Sequence, residues 1–532
     1  MRSIWKTIIR TELCLLALLV ALTPLSACAG DIAQNFSIGM ISVKTTVLNP
    51  LLALERDFQS LHSLIYESLI TLDDSYHPQP NLALNWSTND GITWTFTLRD
   101  DAVFSDGTSL DAYDVAATVN EIIRLAKDDT AENKGVYASM RYTVSKAQAN
   151  DAKTVVITSS RPYYGFLYAM TFPVLKQEEV QAEYPVGSGP YRAVSFSPGN
   201  FLYLSANEYW RGEEPFVSEI NAFFFATNKE LTNAYEYNRV DAIITRSVTT
   251  AQYRTGVTAL NMDYRTRQLE VLLFNLKAYE LEDVRVRKAI RYAIDPDALA
   301  QNAYYGMVSR TDTMFPTNTW MYYDASDADG EAYFSYSLEK ANQLLTEAGW
   351  TDTDEDGVRD MVLEGKKVKL SLRLWVYEEA ENSVRVETAN AIRDQLAKAG
   401  IEVRVTTLSF GLAKERLQAG NFDLCLAAFQ MDSVPDPGFL LYGPNTGNYG
   451  RYKSETMNNL ITELRKCRTD IERGPEYKQL LDQIQAEFAR DCPFVSLYFR
   501  GGAVLTRMVY TSVRDVREPE VLKGIELMNP NR

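Results

Sequence analysis

Residues whose types could support catalysis are few in this sequence. The two histidines among its 532 residues are His62, in an apolar segment, and His77, in a polar turn. Neither has a nucleophile or a metal-ligand partner nearby in the sequence, so we interpret both as structural or exposed. Ser337 and Lys340 have the spacing of some acyl-transferring enzymes, but the accompanying motifs are missing and Ser337 is placed to cap a helix. The sequence therefore predicts no catalytic residue, no enzyme activity and no cofactor.

Two loops match ligand-binding motifs only in part. The run 352–357 has the acidic spacing with which a calcium loop opens, but its twelfth position is Leu363, where a bidentate glutamate is needed. The glycine-rich run 187–190 lacks the lysine of a phosphate-binding loop. We predict a solvated acidic turn for the first, a turn between lobes for the second, and no metal site. Weak calcium binding by the acidic turn is the alternative.

Strand and helix patterns alternate along the chain and indicate an α/β fold. Between residues 92 and 99, apolar and polar side chains alternate, which is typical of a strand with one face on a core. Asp111 can cap a helix whose apolar residues share one face. Residues 153–159 and 201–205 are further strand candidates.

The clearest pattern lies between residues 367 and 429. It indicates a strand (368–376), a helix (381–399, ended by Gly400), a strand (401–405), a helix (410–419, ended by Gly420) and a strand (422–429). Short connections between such elements imply a parallel sheet that is covered by helices on both faces. Ligands of open parallel sheets lie beyond the carboxyl ends of the strands, here residues 377–382, 408–411 and 430–437. This argument points to Asp432.

The composition excludes several classes of partner. The formal net charge is −16, which argues against nucleic acid and anionic membrane surfaces, because both are bound through basic patches. A chain of this length is too long for one core and predicts two or three lobes. The 31 tyrosines, 22 phenylalanines and 7 tryptophans favour an aromatic-lined cleft for a small molecule.

The three cysteines outside the N-terminal region are predicted to form no disulfide and to be mostly buried. Cys467 and Cys492 lie at the far ends of two successive helical segments. Antiparallel packing of those helices would separate the two by about 20 Å, well beyond the roughly 7 Å that a disulfide tolerates. Cys425 lies in an apolar strand.

The N-terminal region predicts export from the cytoplasm. A basic leader is followed by an apolar run at 13–22 and by small residues that end at Cys28, as in a secretory signal that is too short for a stable membrane span. The segment 25–28 resembles the lipobox of bacterial lipoproteins, which implies that residues 1–27 are removed and that Cys28 carries lipid. Two or more acyl chains suffice for stable anchoring, so we expect the protein at the cell membrane, on the cell surface or in the periplasm. An ordinary secretory signal with a chance cysteine is the alternative.

Several short motifs carry a family resemblance. They are LIYESL (64–69), PNLA (80–83), TFTLR (95–99), FSDGT (104–108), GSGPY (187–191), VRKA (286–289) and EAGW (347–350). With them, the chain resembles the extracytoplasmic solute-binding proteins of the peptide/nickel class (family 5) that serve ABC importers. The resemblance implies a two-lobed α/β fold of the periplasmic-binding-protein type (type II, cluster C) with an extra domain inserted in lobe I. Its implied boundaries are 31–50, 185–270 and 493–532 for lobe I, 51–184 for the inserted domain and 271–492 for lobe II.

The resemblance also implies ligand-binding residues. In peptide-binding relatives, an aspartate just past a strand of the second lobe pairs with the α-ammonium group of the ligand, and Asp432 matches it. Phe429 stands where relatives often carry tryptophan and is expected to form an aromatic wall. The predicted set is completed by Trp375, Tyr377, Thr46 and Asn49.

One departure from the family affects the expected ligand. Dipeptide receptors place an arginine for the ligand carboxylate in the loop after the 368–376 strand, whereas this loop holds Glu378, Glu379 and Glu381. These glutamates would repel the free carboxylate of a short peptide. A longer peptide, or a cationic or amide-rich ligand, is therefore favoured over a dipeptide.

We accordingly predict a monomeric, lipid-anchored binding protein that captures peptides between its lobes and delivers them to the transmembrane permease subunits of an ABC transporter. The alternatives are nickel-chelate, opine or oligosaccharide binding on the same scaffold, or a peptide-sensing receptor. With two histidines in the chain, a histidine-rich nickel site is disfavoured, although a chelated metal could bind.

Overall fold

The computed structural model describes residues 35–128, 130, 133–255, 260–323, 335–379, 383–443, 447–467, 474–507 and 516–527. The predicted signal peptide, Cys28 and Glu381 lie outside these residues. None of the described helices is long and apolar enough to cross a membrane.

Strands and helices alternate over the described residues. The strands are β1 (Asn35–Ile41), β2 (Ile70–Leu72), β3 (Pro78–Pro80), β4 (Ala83–Ser87), β5 (Thr93–Leu98), β6 (Val144–Asp151), β7 (Thr154–Ser159), β8 (Tyr191–Ser197), β9 (Phe201–Ala206), β10 (Glu219–Phe225), β11 (Ala242–Thr245), β12 (Leu260–Phe274), β13 (Val308–Arg310), β14 (Asp360–Leu363), β15 (Lys366–Lys369), β16 (Ser371–Tyr377), β17 (Glu402–Leu408), β18 (Leu424–Gln430) and β19 (Phe494–Thr506). The helices are α1 (Arg56–Ile65), α2 (Ala112–Lys127), α3 (Asn228–Glu236), α4 (Tyr279–Glu282), α5 (Val284–Ala293), α6 (Pro296–Asn302), α7 (Leu338–Glu347), α8 (Val384–Ala397), α9 (Phe410–Ala419), α10 (Gly438–Leu441), α11 (Glu455–Lys466) and α12 (Gly474–Asp491).

One large mixed sheet runs through both halves of the molecule. Its strand order is β17-β16-β18-β12-β19-β11-β1-β10-β9-β8, and β13 pairs with β19 off that path. We call the half with β1 and β8–β11 the first lobe, and the half with β16–β18 the second lobe. The long antiparallel strands β12 and β19 lie between them, and their register shifts between Arg265 and Leu269. The connection between the lobes therefore contains a β-bulge.

A separate four-stranded sheet, in the order β4-β5-β7-β6, is formed by residues between β1 and β8. The predicted alternation on β5 is confirmed, because Trp94 and Phe96 are buried. Helix α2 packs on this sheet and begins at a capping box, in which the Asp111 side chain accepts the Tyr113 N–H and the Asp114 side chain accepts the Asp111 N–H. We call this unit the four-stranded domain. The lobe boundaries given above stay predictions.

The predicted strand–helix–strand–helix–strand unit of the second lobe is present as β16, α8, β17, α9 and β18. The central strand β16 is parallel to both β17 and β18. Successive β16 side chains enter opposite cores: Leu374 packs with Ile392 of α8, whereas Trp375 packs with Leu417 of α9. Helices thus cover both faces, as predicted, and Gly420 ends α9 with a φ of 71°.

The predicted strand at 368–376 is divided in the structure, so that prediction was wrong in part. Strand β15 pairs with β14 in a hairpin of its own. Between β15 and β16, the Leu370 N–H donates to the carbonyl of Arg359. Leu370 is buried, so the apolar alternation continues across the break and could not reveal it.

The three described cysteines are thiols, as predicted. Cys425, Cys467 and Cys492 are all buried, and no disulfide joins them. Burial raises the pKa of Cys425 to about 12 and that of Cys492 to about 11. Both thiols therefore stay protonated and act as small apolar side chains.

Candidate functional site

A cavity of about 580 Å³ lies where the two lobes and the four-stranded domain meet. We call this cavity the cleft. Its wall includes the loop after β18, which the strand-end argument had selected. The residues that matter below are Tyr137, Tyr163 and Tyr168 near the four-stranded domain, Asp432, Asp436, Phe439 and Arg465 in the second lobe, and Arg267, Arg517, Glu518 and Glu520 near the junction of the lobes.

Asp432 is exposed in the wall of the cleft. Its Oδ1 accepts the backbone N–H of Ser433 at 2.7 Å. Asp436, in the same loop, is instead held by Arg465, whose Nε lies 2.7 Å from Oδ2. Among the described residues, Asp432 forms no ion pair. The carboxylate of Asp432 is therefore available to a cationic ligand, whereas that of Asp436 is already paired within the protein.

Tyrosines form another part of the wall. Tyr163 is buried, and burial together with the nearby carboxylates of the β18 loop raises the pKa of its phenol, which stays neutral. The Tyr168 hydroxyl accepts the Nε1–H of Trp320 at 3.0 Å, and Tyr164 stacks on Tyr477 of α12 with ring centroids 3.9 Å apart. The last two contacts join the four-stranded domain to the second lobe, so they hold this side of the cleft together.

Two predicted aromatic residues lie behind the wall rather than in it. Phe429 is half-buried and packs edge-on against Phe439, with centroids 5.8 Å apart, and against Tyr449. Phe439 is the ring that lines the cleft. Trp375 is buried in the core, with the guanidinium of Arg416 4.8 Å from its ring. Both residues support the wall in this structure, and a direct ligand contact by either stays a prediction.

Tyr377 ends β16 beside a buried ion-pair network. The guanidinium of Arg385 lies 4.1 Å from the Tyr377 ring and pairs with Glu270 at 2.6 Å and Glu379 at 2.9 Å. Arg500 of β19 pairs with the same two carboxylates, each at 2.8 Å. Arg385 and Glu270 are fully buried. The network joins the second lobe to the strands that connect the lobes.

This network changes the interpretation of the glutamates after β16. Two guanidinium groups neutralise Glu379, so it has no free charge with which to repel a ligand carboxylate. Glu378 is exposed, and Glu381 lies outside the described residues. Within the described chain, the expected repulsion therefore depends on Glu378 alone.

Thr46 and Asn49 do not line the cleft as described. Thr46 is exposed on the first lobe. Asn49 is buried: its Nδ2 donates to the carbonyls of Val180 and Ala182 at 3.1 and 2.8 Å, and its Oδ1 accepts the Leu51 N–H at 3.0 Å. These bonds hold a neighbouring segment in place, so we leave both residues out of the site proposed below.

The histidines and Ser337 have structural roles, as predicted. The Ser337 hydroxyl accepts the Lys340 N–H at the start of α7. His62 lies in the core, where burial lowers its pKa to about 3. His77 is exposed and stacks on Trp320.

The two loops with partial motifs are irregular segments of the chain. A Cβ atom at Gly187 would lie 1.9 Å from the carbonyl oxygen of Ile65, so glycine lets the 187–190 turn approach the end of α1. In the acidic turn, Asp354 pairs with Lys367 at 2.7 Å, and Asp356 pairs with Lys369. Lysines already engage two of the carboxylates that a cation would need.

Comparison with known proteins identifies the family. The model for "Bacterial extracellular solute-binding proteins, family 5 Middle" matches residues 77–450. The chain belongs to this family. The oligopeptide-binding protein AppA of Bacillus subtilis is 23% identical over 526 residues, which cover 92% of this chain and 93% of AppA. The nickel-binding periplasmic protein of Escherichia coli is 26% identical over 326 residues, covering 58% of this chain and 60% of that protein.

Solved structures show the same fold. NikA from Brucella suis, crystallised with Fe(III)-EDTA, matches with a TM-score of 0.75 at 20% identity, covering 93% of this chain and 100% of NikA. AppA with a nonapeptide matches with a TM-score of 0.64 at 20% identity, covering 92% of this chain and 98% of AppA. The predicted two-lobed α/β fold of the periplasmic-binding-protein type is confirmed.

Family membership sets the general function. A family 5 solute-binding protein is a non-enzymatic, extracytoplasmic component that binds a small solute for an ABC importer. The names of the relatives range from oligopeptide to nickel binding. Family membership therefore does not identify the solute of this chain.

Arg267 and Arg517 are among the residues of the cleft that sequence reasoning missed. Neither belongs to a motif in the sequence, and they lie far apart along the chain. The pairing of their two segments brings them together: the Glu518 N–H donates to the carbonyl of Arg265 at 2.9 Å.

Proposed function

We propose that this protein is a monomeric, lipid-anchored receptor that captures an oligopeptide in the cleft and delivers it to the transmembrane permease of its ABC importer. The observation that carries the proposal is the exposed carboxylate of Asp432 in the cleft wall, with no ion-pair partner in the described chain. The α-ammonium group of a peptide is its natural partner. Removing one member of such a pair costs about 2–5 kcal/mol once the pair is desolvated, so one carboxylate can orient the ligand.

The size and lining of the cleft support a peptide. Its volume of about 580 Å³ lies within the roughly 300–1,000 Å³ of small-ligand sites. A second cavity of about 300 Å³ adjoins it, with Tyr137 and Glu520 in the walls of both. Neutral phenols along the wall can bond to peptide groups of any sequence, which suits a receptor for varied peptides.

A chelated metal is the second candidate. It is favoured by the similarity to NikA, whose structure contains Fe(III)-EDTA. No described histidine lines the cleft, so a metal would have to arrive with its own ligands.

Mass spectrometry of ligand carried through a non-denaturing purification tests the proposal. Peptides of three or more residues in the released material are the expected result. Free dipeptides or metal chelates as the dominant species would contradict it. The same preparation with Asp432→Asn should carry less peptide, whereas Glu402→Gln, at a half-buried site on β17 outside the cleft lining, should carry as much as the wild type.

A further inference from the structure

Two arginines in the wall of the cleft have no acidic partner in the described chain. Arg267 lies on β12, and Arg517 lies in the C-terminal segment that forms a bridge to Arg265. Both line the cleft. Among the described residues, neither guanidinium forms an ion pair.

Each of these arginines has a buried donor without an acceptor. The Nε of Arg267 and the Nη1 of Arg517 are buried and have no hydrogen-bond partner. The other contacts of Arg517 fix its position: Nη2 donates to the carbonyls of Leu72 and Asp73 at 2.9 and 2.8 Å, and the guanidinium lies 4.2 Å from the Tyr76 ring. A buried donor without an acceptor is destabilising, so a ligand that supplies the acceptor is favoured.

Most acids near the arginines are already engaged. Glu518 pairs with Arg246 at 2.6 Å, and Asp436 pairs with Arg465. Glu520 is half-exposed and lies 3.9 Å from the ammonium of Lys523. In a chain of net charge −16, a pair of cations left unpaired by the protein is unusual and indicates an anionic partner from outside.

Arg267 lies on the strand beside the loop that carries Asp432. The Met431 N–H donates to the carbonyl of Arg267 at 2.8 Å, so Asp432 is one residue beyond the backbone partner of Arg267. The cleft thus offers an anion and cations in the lining of one cavity. A ligand that satisfies both carries an ammonium group and a carboxylate.

We propose that Arg267 and Arg517 form a subsite for a carboxylate of the ligand, either the C-terminus of a peptide or an acidic side chain. This inference rests on the proposed function and narrows its solute to peptides that carry a carboxylate. Guanidinium groups fit the task because they bind carboxylates through two parallel hydrogen bonds. The subsite also weakens the argument against a free carboxylate, since Glu379 is neutralised within the protein.

Peptide mixtures that differ only in charge test the subsite. Random tetrapeptides without Asp or Glu are prepared with free C-termini and with amidated C-termini, and a third mixture is amidated but contains one Glu. Calorimetric titration of the wild type should show that one of the two carboxylate-bearing mixtures binds at least about tenfold more tightly than the neutral one. Arg267→Gln should abolish that preference. Arg404→Gln, at an exposed position on β17, should keep it.

Sodium acetate provides a probe that does not depend on peptide binding. In protein labelled with ¹⁵N-arginine, the Nε–H resonance that disappears in Arg267→Gln should shift saturably with acetate and not with chloride. Equal binding of all three mixtures by the wild type would overturn the inference and leave the proposed function intact. Failure of every mixture to bind would refute the proposed function, and the acetate titration would then decide the inference by itself.

Discussion

Asp432→Asn is the sharpest perturbation of the cleft, because it removes a charge and keeps the shape of the side chain. In the wild type, Oδ1 accepts a single backbone N–H, that of Ser433. An asparagine oxygen accepts the same bond. We therefore expect the free energy of unfolding to change by less than about 0.5 kcal/mol, so any loss of binding reflects the lost charge.

The expected loss of affinity follows from the exposure of Asp432. An exposed ion pair is worth about 0–1 kcal/mol, and removing one partner of a desolvated pair costs about 2–5 kcal/mol. Asp432 is exposed in the empty cleft, but a ligand lying against Tyr163 and Phe439 would cover it. We expect about 2 kcal/mol, which is roughly a thirtyfold weaker Kd.

Calorimetry with free and N-acetylated peptide mixtures measures this effect. The wild type should prefer the free amine, and Asp432→Asn should bind both mixtures alike. Asp436→Asn is the matched control: it breaks the pair with Arg465 and should lower stability while keeping the preference for the free amine. An unchanged preference in Asp432→Asn would refute the assignment of the ammonium group to this carboxylate.

Three further predictions concern stability and anchoring. Glu270→Gln leaves the buried Arg385 with one carboxylate and should lower the free energy of unfolding by about 3–5 kcal/mol in urea titrations; a change below about 1 kcal/mol would contradict that. Burial lowers the pKa of His62 to about 3, against about 6.5 in the unfolded chain. The unfolded state therefore takes up the proton first, and stability should fall as the pH drops through this window, less steeply in His62→Gln. Cys28→Ala should abolish labelling by radioactive palmitate and release the protein from the membrane fraction; continued labelling would exclude Cys28 as the anchor.

The second-lobe sheet and the position of Asp432 could be predicted from the sequence because both follow from local rules. Strand and helix periods are read over a few residues, and a parallel unit places its ligand loops at one edge. Leu374 and Trp375, which are neighbours on β16, show the limit of predictions from local sequence patterns. Both are buried, although Arg373, on the same face as Trp375, is exposed, so the alternation of polar and apolar residues does not tell which aromatic side chains reach the cleft.

Neither Phe429 nor Asn49 lines the cleft as described, and the reason is different. In each case, the side chain is already in contact with another part of the chain. Phe439 covers Phe429, and the carbonyls of Val180 and Ala182 take up the amide of Asn49. Such contacts join segments that are distant in sequence, and local patterns do not contain them.

The arginine pair also depends on contacts between distant segments, and Arg267 lies where the lobes are connected. At the β12 bulge, Thr266 Oγ1 donates to the carbonyl of Arg500 at 2.8 Å and accepts the Gln268 N–H at 3.1 Å. Arg267 lies within this bulge and faces the cleft, and Glu270, in the buried network, follows on the same strand. A carboxylate held by Arg267 therefore contacts the chain where the lobes join. Since a ligand shifts a conformational equilibrium only through contacts that differ between the two states, this is the position from which bound solute can favour one angle between the lobes.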